Sequence, residues 1–158
     1  MTDNFEIKPG VGVGPLVLGM TQSEVRDTLG EPEKAETDND PEDNTTTISW
    51  EYREGTLEAD FCSDDSDRLG TITVSDPLAT LMGTALIGLE EDEFLDAANK
   101  AGIGPIELDE EFDEIDARDF VWEAKNISFW VSDGVLENMS VMPIYDDAGE
   151  RPQWPSRD

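Results

Sequence analysis

The sequence predicts an α+β protein made of two tandem repeats, each with one helix followed by a three-stranded antiparallel sheet. Two observations support this prediction. A helix-start signal precedes three short runs in which apolar and polar residues alternate, and the same series of segments occurs again further along the chain. We assign the first helix and meander to residues 1–75, the second to residues 84–142, and an extended C-terminal tail to residues 143–158.

The first helix is predicted to start at Thr21 and to end at Gly30. Thr21 is a favourable N-cap residue, and Glu24 stands three positions later, which is the spacing of a capping box. Val25 and Leu29 are four residues apart and therefore share one face of the helix. A helix this short depends on the packing of that face for its stability.

Three strands are predicted after this helix. Apolar residues alternate with polar ones over residues 48–52 and 57–61, and a third apolar series occupies residues 69–74. Residues 33–47 are polar and rich in Asp and Glu, which favours a mobile loop. The first repeat is therefore predicted to consist of a helix, an acidic loop and a β-meander.

The same order of segments occurs in the second half of the chain. Gly88 takes the place of Gly19, and a helix is predicted from about Glu90 to Ala101. Residues 107–116 form a second acidic run, which is again predicted to be a loop, and three apolar series follow it. We expect an internal duplication, because chance rarely repeats so many segments in one order.

The segment from Gly19 to Pro32, GMTQSEVRDTLGEP, resembles the opening motif of BamE/SmpA-like and β-lactamase-inhibitory-protein-like repeats. In those families a helix with this motif precedes an antiparallel sheet. The resemblance implies a tandem arrangement whose sheet presents one open face to a protein partner. The inhibitors are secreted and disulfide-bonded and the assembly proteins are lipoproteins, whereas tandem units of this general type also occur in cytoplasmic immunity proteins that neutralise toxins.

The charge of the chain restricts the partners that it is expected to bind. Asp and Glu number 39 and Lys and Arg number 10, which gives a formal net charge of −29. A field of this sign repels nucleic-acid phosphates and anionic membranes, so the expected partner is a basic protein. Two other interpretations stay open, namely adaptation of the surface to a cytoplasm rich in salt and solubility alone.

The residue types exclude several kinds of catalytic centre. The chain has no histidine and a single cysteine, Cys62, which excludes a Ser-His-Asp triad, histidine-bound zinc and an intramolecular disulfide. The acidic run from Asp64 to Asp67 lacks the glycine and the late glutamate of an EF-hand, and we expect no metal and no cofactor. No signal peptide or membrane-spanning segment is evident, which predicts a cytoplasmic protein.

The alternation along the strands separates a core face from an outer face of each sheet. The apolar side chains of residues 50–61 are expected to face the helix, so that Glu51, Glu58 and Asp60 lie on the opposite side. The same reasoning places Trp130 on the outer face of the second repeat. An acidic face with one tryptophan is typical of a protein-binding surface. The alternative is that Trp130 packs against the other repeat or the tail.

We therefore predict a non-enzymatic protein-binding module, best matched by an immunity-type inhibitor of a basic toxin or enzyme. Glu51, Glu58 and Asp60 are expected to steer the partner and Trp130 to anchor it. The alternatives are a salt-adapted acidic accessory protein and, more distantly, a carboxylate-dependent hydrolase.

We expect the stability of the protein to increase with salt, because a net charge of −29 is self-repelling unless counter-ions screen it. Thermal melting from low to molar KCl checks this expectation, and the melting temperature should rise with the salt concentration. A melting temperature that stays flat or falls over that range would contradict it.

Overall fold

The computed structural model describes residues 6–65, 67–145 and 152–155. The fold is mostly β, with 49% of the residues in strands and 20% in helices. An eight-stranded antiparallel sheet forms its centre, and a five-stranded sheet of very short strands and two α-helices share one hydrophobic core with it.

The first half of the chain contains short strands, one helix and four longer strands. The short strands are β1 (Glu6–Lys8), β2 (Gly12–Val13) and β3 (Leu16–Val17). The helix and the longer strands then follow in this order: α1 (Gln22–Leu29), β4 (Lys34–Asp40), β5 (Thr45–Tyr52), β6 (Leu57–Cys62) and β7 (Arg68–Val74).

The second half again places short strands before a helix and four longer strands. These elements are β8 (Thr80–Leu81), β9 (Thr84–Ala85), α2 (Glu91–Lys100), β10 (Glu107–Phe112), β11 (Ala117–Trp122), β12 (Ile127–Ser132) and β13 (Val135–Val141). The strand β8 lies parallel to β1, so the small sheet combines both halves in the order β3-β2-β1-β8-β9. Near the C-terminus, β14 (Ile144–Tyr145) pairs with β15 (Pro152–Gln153).

The large sheet runs continuously through both halves of the chain. Its strand order is β10-β11-β12-β13-β7-β6-β5-β4, so that β7 and β13 meet at the centre and β4 and β10 form the two edges. At the centre Ser140 lies opposite Thr73 in the antiparallel register. The hydroxyl oxygens of these two residues are 2.9 Å apart and hydrogen-bonded. We call this junction between β7 and β13 the central seam.

The hydrophobic core lies on one side of the large sheet. Both helices contribute to it, through Val25 of α1 and through Phe94 and Ala98 of α2. The ring of Phe94 packs against Phe129 on β12, with centroids 5.2 Å apart. Alternate residues of the inner strands supply the rest of this layer, since side chains in a strand point to opposite faces in turn. One face of the sheet is thereby covered.

The fold predicted from the sequence, α+β with two helix-plus-three-strand repeats, is wrong. The chain is mostly β, and its longer strands form one eight-stranded sheet. The acidic residues 33–47 and 107–116 were predicted to be loops, yet they contain the edge strands β4 and β10. Both edge strands are exposed along nearly their whole length, so they carry no alternation of buried and polar residues. Backbone pairing with β5 and β11 defines them instead.

The predicted start of the first helix is confirmed. The side chain of Thr21 accepts a hydrogen bond from the backbone N–H of Glu24 (3.2 Å), and the Glu24 carboxylate accepts one from the N–H of Thr21 (3.0 Å). The helix ends before Gly30, as predicted, and Val25 on its inner face is fully buried. In the C-terminal tail, Trp154 is partly buried against the core, beside Gly19. Residues 146–151 and 156–158 of that tail lie outside the described residues.

The Thr21 cap provides a test of this helix start. Thr21→Ala removes the side-chain acceptor for the Glu24 N–H and should lower the free energy of unfolding by about 1 kcal/mol. Ser23→Ala is the matched control, because Ser23 is an exposed residue in the first turn of the same helix. Urea unfolding of the two variants would contradict the cap if Thr21→Ala were as stable as Ser23→Ala.

Candidate functional site

The side of the large sheet opposite the core carries mostly polar side chains and is covered by no described helix or strand. We call it the open face. Its residues are half-buried, because each is flanked by neighbours on the adjacent strands. They include Ser49, Glu51, Glu58, Asp60, Thr71, Thr73, Phe112, Asp119, Val121, Ser128, Trp130, Asn138 and Ser140.

The structure places the four predicted site residues on this open face but in two separate groups. Glu51 on β5 lies directly opposite Glu58 on β6, and Asp60 follows two positions after Glu58 on the same face. Trp130 lies on β12, which is separated from β6 by β13 and β7. Three strand spacings across the sheet and an offset of about four residues along the strands put the Cα atom of Trp130 roughly 20 Å from that of Asp60. One half of the sheet therefore carries carboxylates and the other half carries the tryptophan.

The carboxylates form a compact group, which we call the carboxyl cluster (Glu36, Glu51, Glu58 and Asp60). Burial, followed by the charge and hydrogen bond of Asp60, raises the pKa of Glu58 to about 7. Glu51 and Glu36 raise this pKa further through their negative charges. Every charge that shifts the Glu58 pKa is therefore another carboxylate.

Asp60 is the most enclosed member of the carboxyl cluster. Burial raises the pKa of Asp60, while hydrogen bonds from Ser49 and Glu58 act in the opposite direction. Burial thus favours the protonated form of both carboxyl groups, and the two titrate as a pair. Oxygen Oδ1 of Asp60 is buried without a hydrogen-bond partner among the described residues. A buried acceptor of this kind is destabilising until a donor reaches it.

The nearest cation to the cluster lies on the edge strand. Lys34 on β4 has its Nζ 3.1 Å from Oε1 of Glu36 and 4.0 Å from Oε2 of Glu51. The hydrogen bond and charge of Glu36 raise the pKa of Lys34, so this lysine stays protonated. It partly balances the outer members of the cluster and leaves Glu58 and Asp60 to share a proton.

Trp130 is not alone on its half of the open face. Its ring packs at a tilt against Phe112 of β10, with centroids 5.5 Å apart, and Phe112 lies opposite the buried Ala117. Trp130 keeps part of its surface exposed and packs in its own half of the sheet, not between the halves. The sequence reasoning missed Phe112, because this residue lies in the acidic run that was predicted to be a loop. We call Phe112 and Trp130 the aromatic pair.

Asp119 is a second open-face residue that the sequence reasoning missed. It lies on β11 directly opposite Trp130. Burial raises the pKa of Asp119, and the charges of Asp109 and Glu110 raise it further. The sequence does allow the position of Asp119 to be predicted. Asp119 directly precedes the core residue Phe120, and alternation along the strand places neighbouring residues on opposite faces.

A groove on the open face lies next to the aromatic pair. Its volume is about 430 Å³, and its lining includes Trp130, Asp119, Asn138, Ser128 and Ser140. Thr71 and Met142 complete the lining, so five of its seven residues have polar side chains that can donate or accept hydrogen bonds. We call it the Trp130 groove. It is the concave part of a surface that is otherwise a pleated sheet.

A second cavity, of about 330 Å³, lies at the start of α2 but is already internally paired. Arg118 lines it and contacts carboxylate oxygens of Glu91 and Glu111, each at 2.8 Å. The charges of these two glutamates raise the Arg118 pKa. The arginine thus joins α2 to β10 and β11, which is a structural role.

The described part of the acidic segments contains no candidate metal centre. Among residues 6–65, 67–145 and 152–155, no group of three or more His, Cys, Asp or Glu side chains is arranged to hold a metal ion. Of the acidic run from Asp64 to Asp67, residue Ser66 lies outside the described residues and so does the side chain of Asp65. Within the described part of the chain, no helix is both long and apolar enough to cross a membrane.

Comparisons of the chain with protein-family models, with curated proteins and with solved structures found no match. The resemblance to BamE/SmpA-like and β-lactamase-inhibitory-protein-like repeats therefore stays an expectation from the motif between Gly19 and Pro32.

The shared proton of Glu58 and Asp60 makes stability depend on pH. Because the pKa of Glu58 rises from 4.5 to about 7 on folding, the native state binds more protons than the unfolded chain between those values. The free energy of unfolding should therefore fall as pH rises through this window. In Glu58→Gln that contribution disappears, which should stabilise the protein at pH 8 by on the order of 1 kcal/mol after solvent screening.

Urea unfolding at pH 5 and pH 8, at constant KCl, checks this dependence. The matched control is Glu42→Gln, because Glu42 is an exposed residue in the turn between β4 and β5. A shared proton requires that Glu58→Gln have a shallower pH dependence than Glu42→Gln. Equal slopes in the two variants would show that Glu58 titrates like an exposed carboxylate.

Proposed function

We propose that this chain is a non-enzymatic, cytoplasmic protein-binding module that places its open face against a basic protein, as an immunity-type inhibitor of a toxin or enzyme does. The observation that carries the proposal is the pairing of two features on one uncovered sheet face. These features are the aromatic pair and, roughly 20 Å away, the carboxyl cluster.

The aromatic pair supplies the apolar part of such an interface. Trp130 and Phe112 expose part of their rings beside a groove of about 430 Å³, and aromatic side chains next to pockets are the usual anchors of protein interfaces. Burial of these rings under a partner would remove apolar surface from water without moving a strand. The remaining open-face residues are mainly hydroxyl and amide side chains, which suit a hydrated polar rim.

The carboxyl cluster supplies the electrostatic part. A cation of the partner placed beside Glu58 and Asp60 would replace the shared proton and reach the unpaired Oδ1 of Asp60. The net charge of −29 would increase the rate at which a basic protein arrives, and counter-ions would weaken this effect at high salt. The cluster therefore supports a basic partner specifically, in addition to the overall charge.

Affinity isolation of a partner, followed by binding kinetics, tests this function. Trp130→Ala should mainly increase the dissociation rate and should cost about 2 kcal/mol of binding free energy or more. The triple variant Glu51→Gln, Glu58→Gln, Asp60→Asn should slow association and reduce its dependence on salt. Each variant should retain the melting profile of a folded protein.

The control for the triple variant removes three charges elsewhere. Asp27, Glu42 and Glu123 are exposed and lie outside the carboxyl cluster, so Asp27→Asn, Glu42→Gln, Glu123→Gln changes the net charge by the same amount. Binding through the open face requires a larger effect from the cluster variant than from this control. Equal effects of the two triple variants would mean that only the total charge affects binding. If Trp130→Ala also left binding unchanged, the interface would lie elsewhere.

A further inference from the structure

We propose that the Trp130 groove is a binding subsite for one arginine side chain of the partner, with the guanidinium stacked on Trp130 and paired with the Asp119 carboxylate. This inference rests on the proposed function and makes it more specific. It names the residue type that the partner inserts and the place where that residue is held. Asp119, which belongs to neither the carboxyl cluster nor the aromatic pair, becomes a binding residue.

The register of the strands places the two recognition groups next to each other. Asp119 and Trp130 are directly opposed on β11 and β12, so their Cβ atoms are about 5 Å apart. Both side chains line the same groove of about 430 Å³. A guanidinium lying on the indole ring is therefore within reach of the carboxylate beside it.

Asp119 is available for such a pairing. Among the described residues its carboxylate makes no hydrogen bond and no ion pair, and the charges that act on it come from Asp109 and Glu110. Its partial burial and then its two acidic neighbours raise the Asp119 pKa, because they disfavour an isolated negative charge there. A bound cation stabilises the ionised carboxylate and so offsets both effects. The nearest arginine in sequence, Arg118, is already paired with Glu91 and Glu111.

The polar lining of the groove favours arginine over lysine. Ser128, Ser140 and Asn138 surround the space between Asp119 and the central seam and offer oxygen acceptors. A guanidinium has five N–H donors in one plane, so it can pair with a carboxylate along one edge and with these acceptors along another. Its flat, weakly hydrated face also stacks on an indole ring, whereas an ammonium group has neither property.

The other half of the sheet offers no equivalent subsite. In the half of the sheet that carries the groove, one row across β11, β12 and β13 consists of Asp119, Trp130 and Asn138. The equivalent row across β5, β6 and β7 consists of Ser49, Asp60 and Thr71. The tryptophan position is occupied there by Asp60. The half of the sheet that carries Asp60 therefore has no aromatic ring in this row on which a guanidinium could stack.

The test is an NMR titration of the whole ¹⁵N-labelled protein with N-acetyl-arginine amide in molar KCl, which screens non-specific attraction to an acidic surface. The uncharged isostere N-acetyl-citrulline amide is titrated in parallel. We expect saturable shifts of the Trp130 indole N–H and of the amides around Asp119 with the arginine probe only. The indole signal is assigned from its absence in Trp130→Phe.

Variants decide which side chains are responsible. Asp119→Asn should weaken binding of the arginine probe by about fivefold to tenfold, as expected for loss of a partly exposed charge-assisted hydrogen bond. Trp130→Leu should weaken it by a similar factor, while Trp130→Phe should retain part of the affinity because it keeps an aromatic face. Glu42→Gln, which changes an exposed carboxylate in the turn between β4 and β5, should bind the probe like the parent protein. The same spectra show whether each variant is folded.

Three outcomes would overturn the subsite. They are equal shifts with arginine and citrulline, shifts spread over the acidic surface without a maximum at the groove, and unchanged affinity in folded Asp119→Asn and Trp130→Leu. These results leave the proposed function standing if an isolated partner still binds the open face. Conversely, a groove that binds the arginine probe in a protein whose open face binds no partner would contradict the proposed function alone.

Discussion

The pairing of β7 with β13 is the interaction on which the rest of this structure depends. It comprises three residue pairs, and a hydrogen bond between the hydroxyls of Thr73 and Ser140 lies over it. Without this seam each half would be a four-stranded sheet with one short helix and two edges, and only the pairing of β1 with β8 and the shared core would join the halves. With it, the two central strands are paired on both sides and the remaining edges are the acidic strands β4 and β10.

The open face owes its bipartite character to this arrangement. Equivalent positions on β6 and β12 carry Asp60 and Trp130, so one half of the face holds the carboxyl cluster and the other holds the aromatic pair beside Asp119. The central seam holds the carboxyl cluster and the aromatic pair at a fixed separation. A partner can contact both in one geometry only if the two halves of the sheet move as one body. The acidic edge strands also oppose edge-to-edge association between copies, since like charges would meet along the backbone.

The sequence allowed the face of each inner strand to be predicted, because burial on one side imposes an alternation of period two. Glu51, Glu58, Asp60 and Trp130 were assigned to the outer face on that basis, and the structure places them there. The helix start at Thr21 followed from local chemistry alone. The edge strands could not be predicted in this way, since β4 and β10 bury almost nothing and are held by backbone hydrogen bonds. Phe112 was missed for the same reason, and the continuity of the sheet depends on a pairing between distant segments that no local pattern encodes.

Native-state hydrogen exchange of the backbone amides between β7 and β13 tests this account most directly. If the seam joins both halves into one cooperative sheet, these amides exchange only through global unfolding, with the same free energy as the innermost amides of β6 and β12. Faster exchange at the seam, with each half protected separately, would contradict the account, because the carboxyl cluster and the aromatic pair would then lie on two independent surfaces.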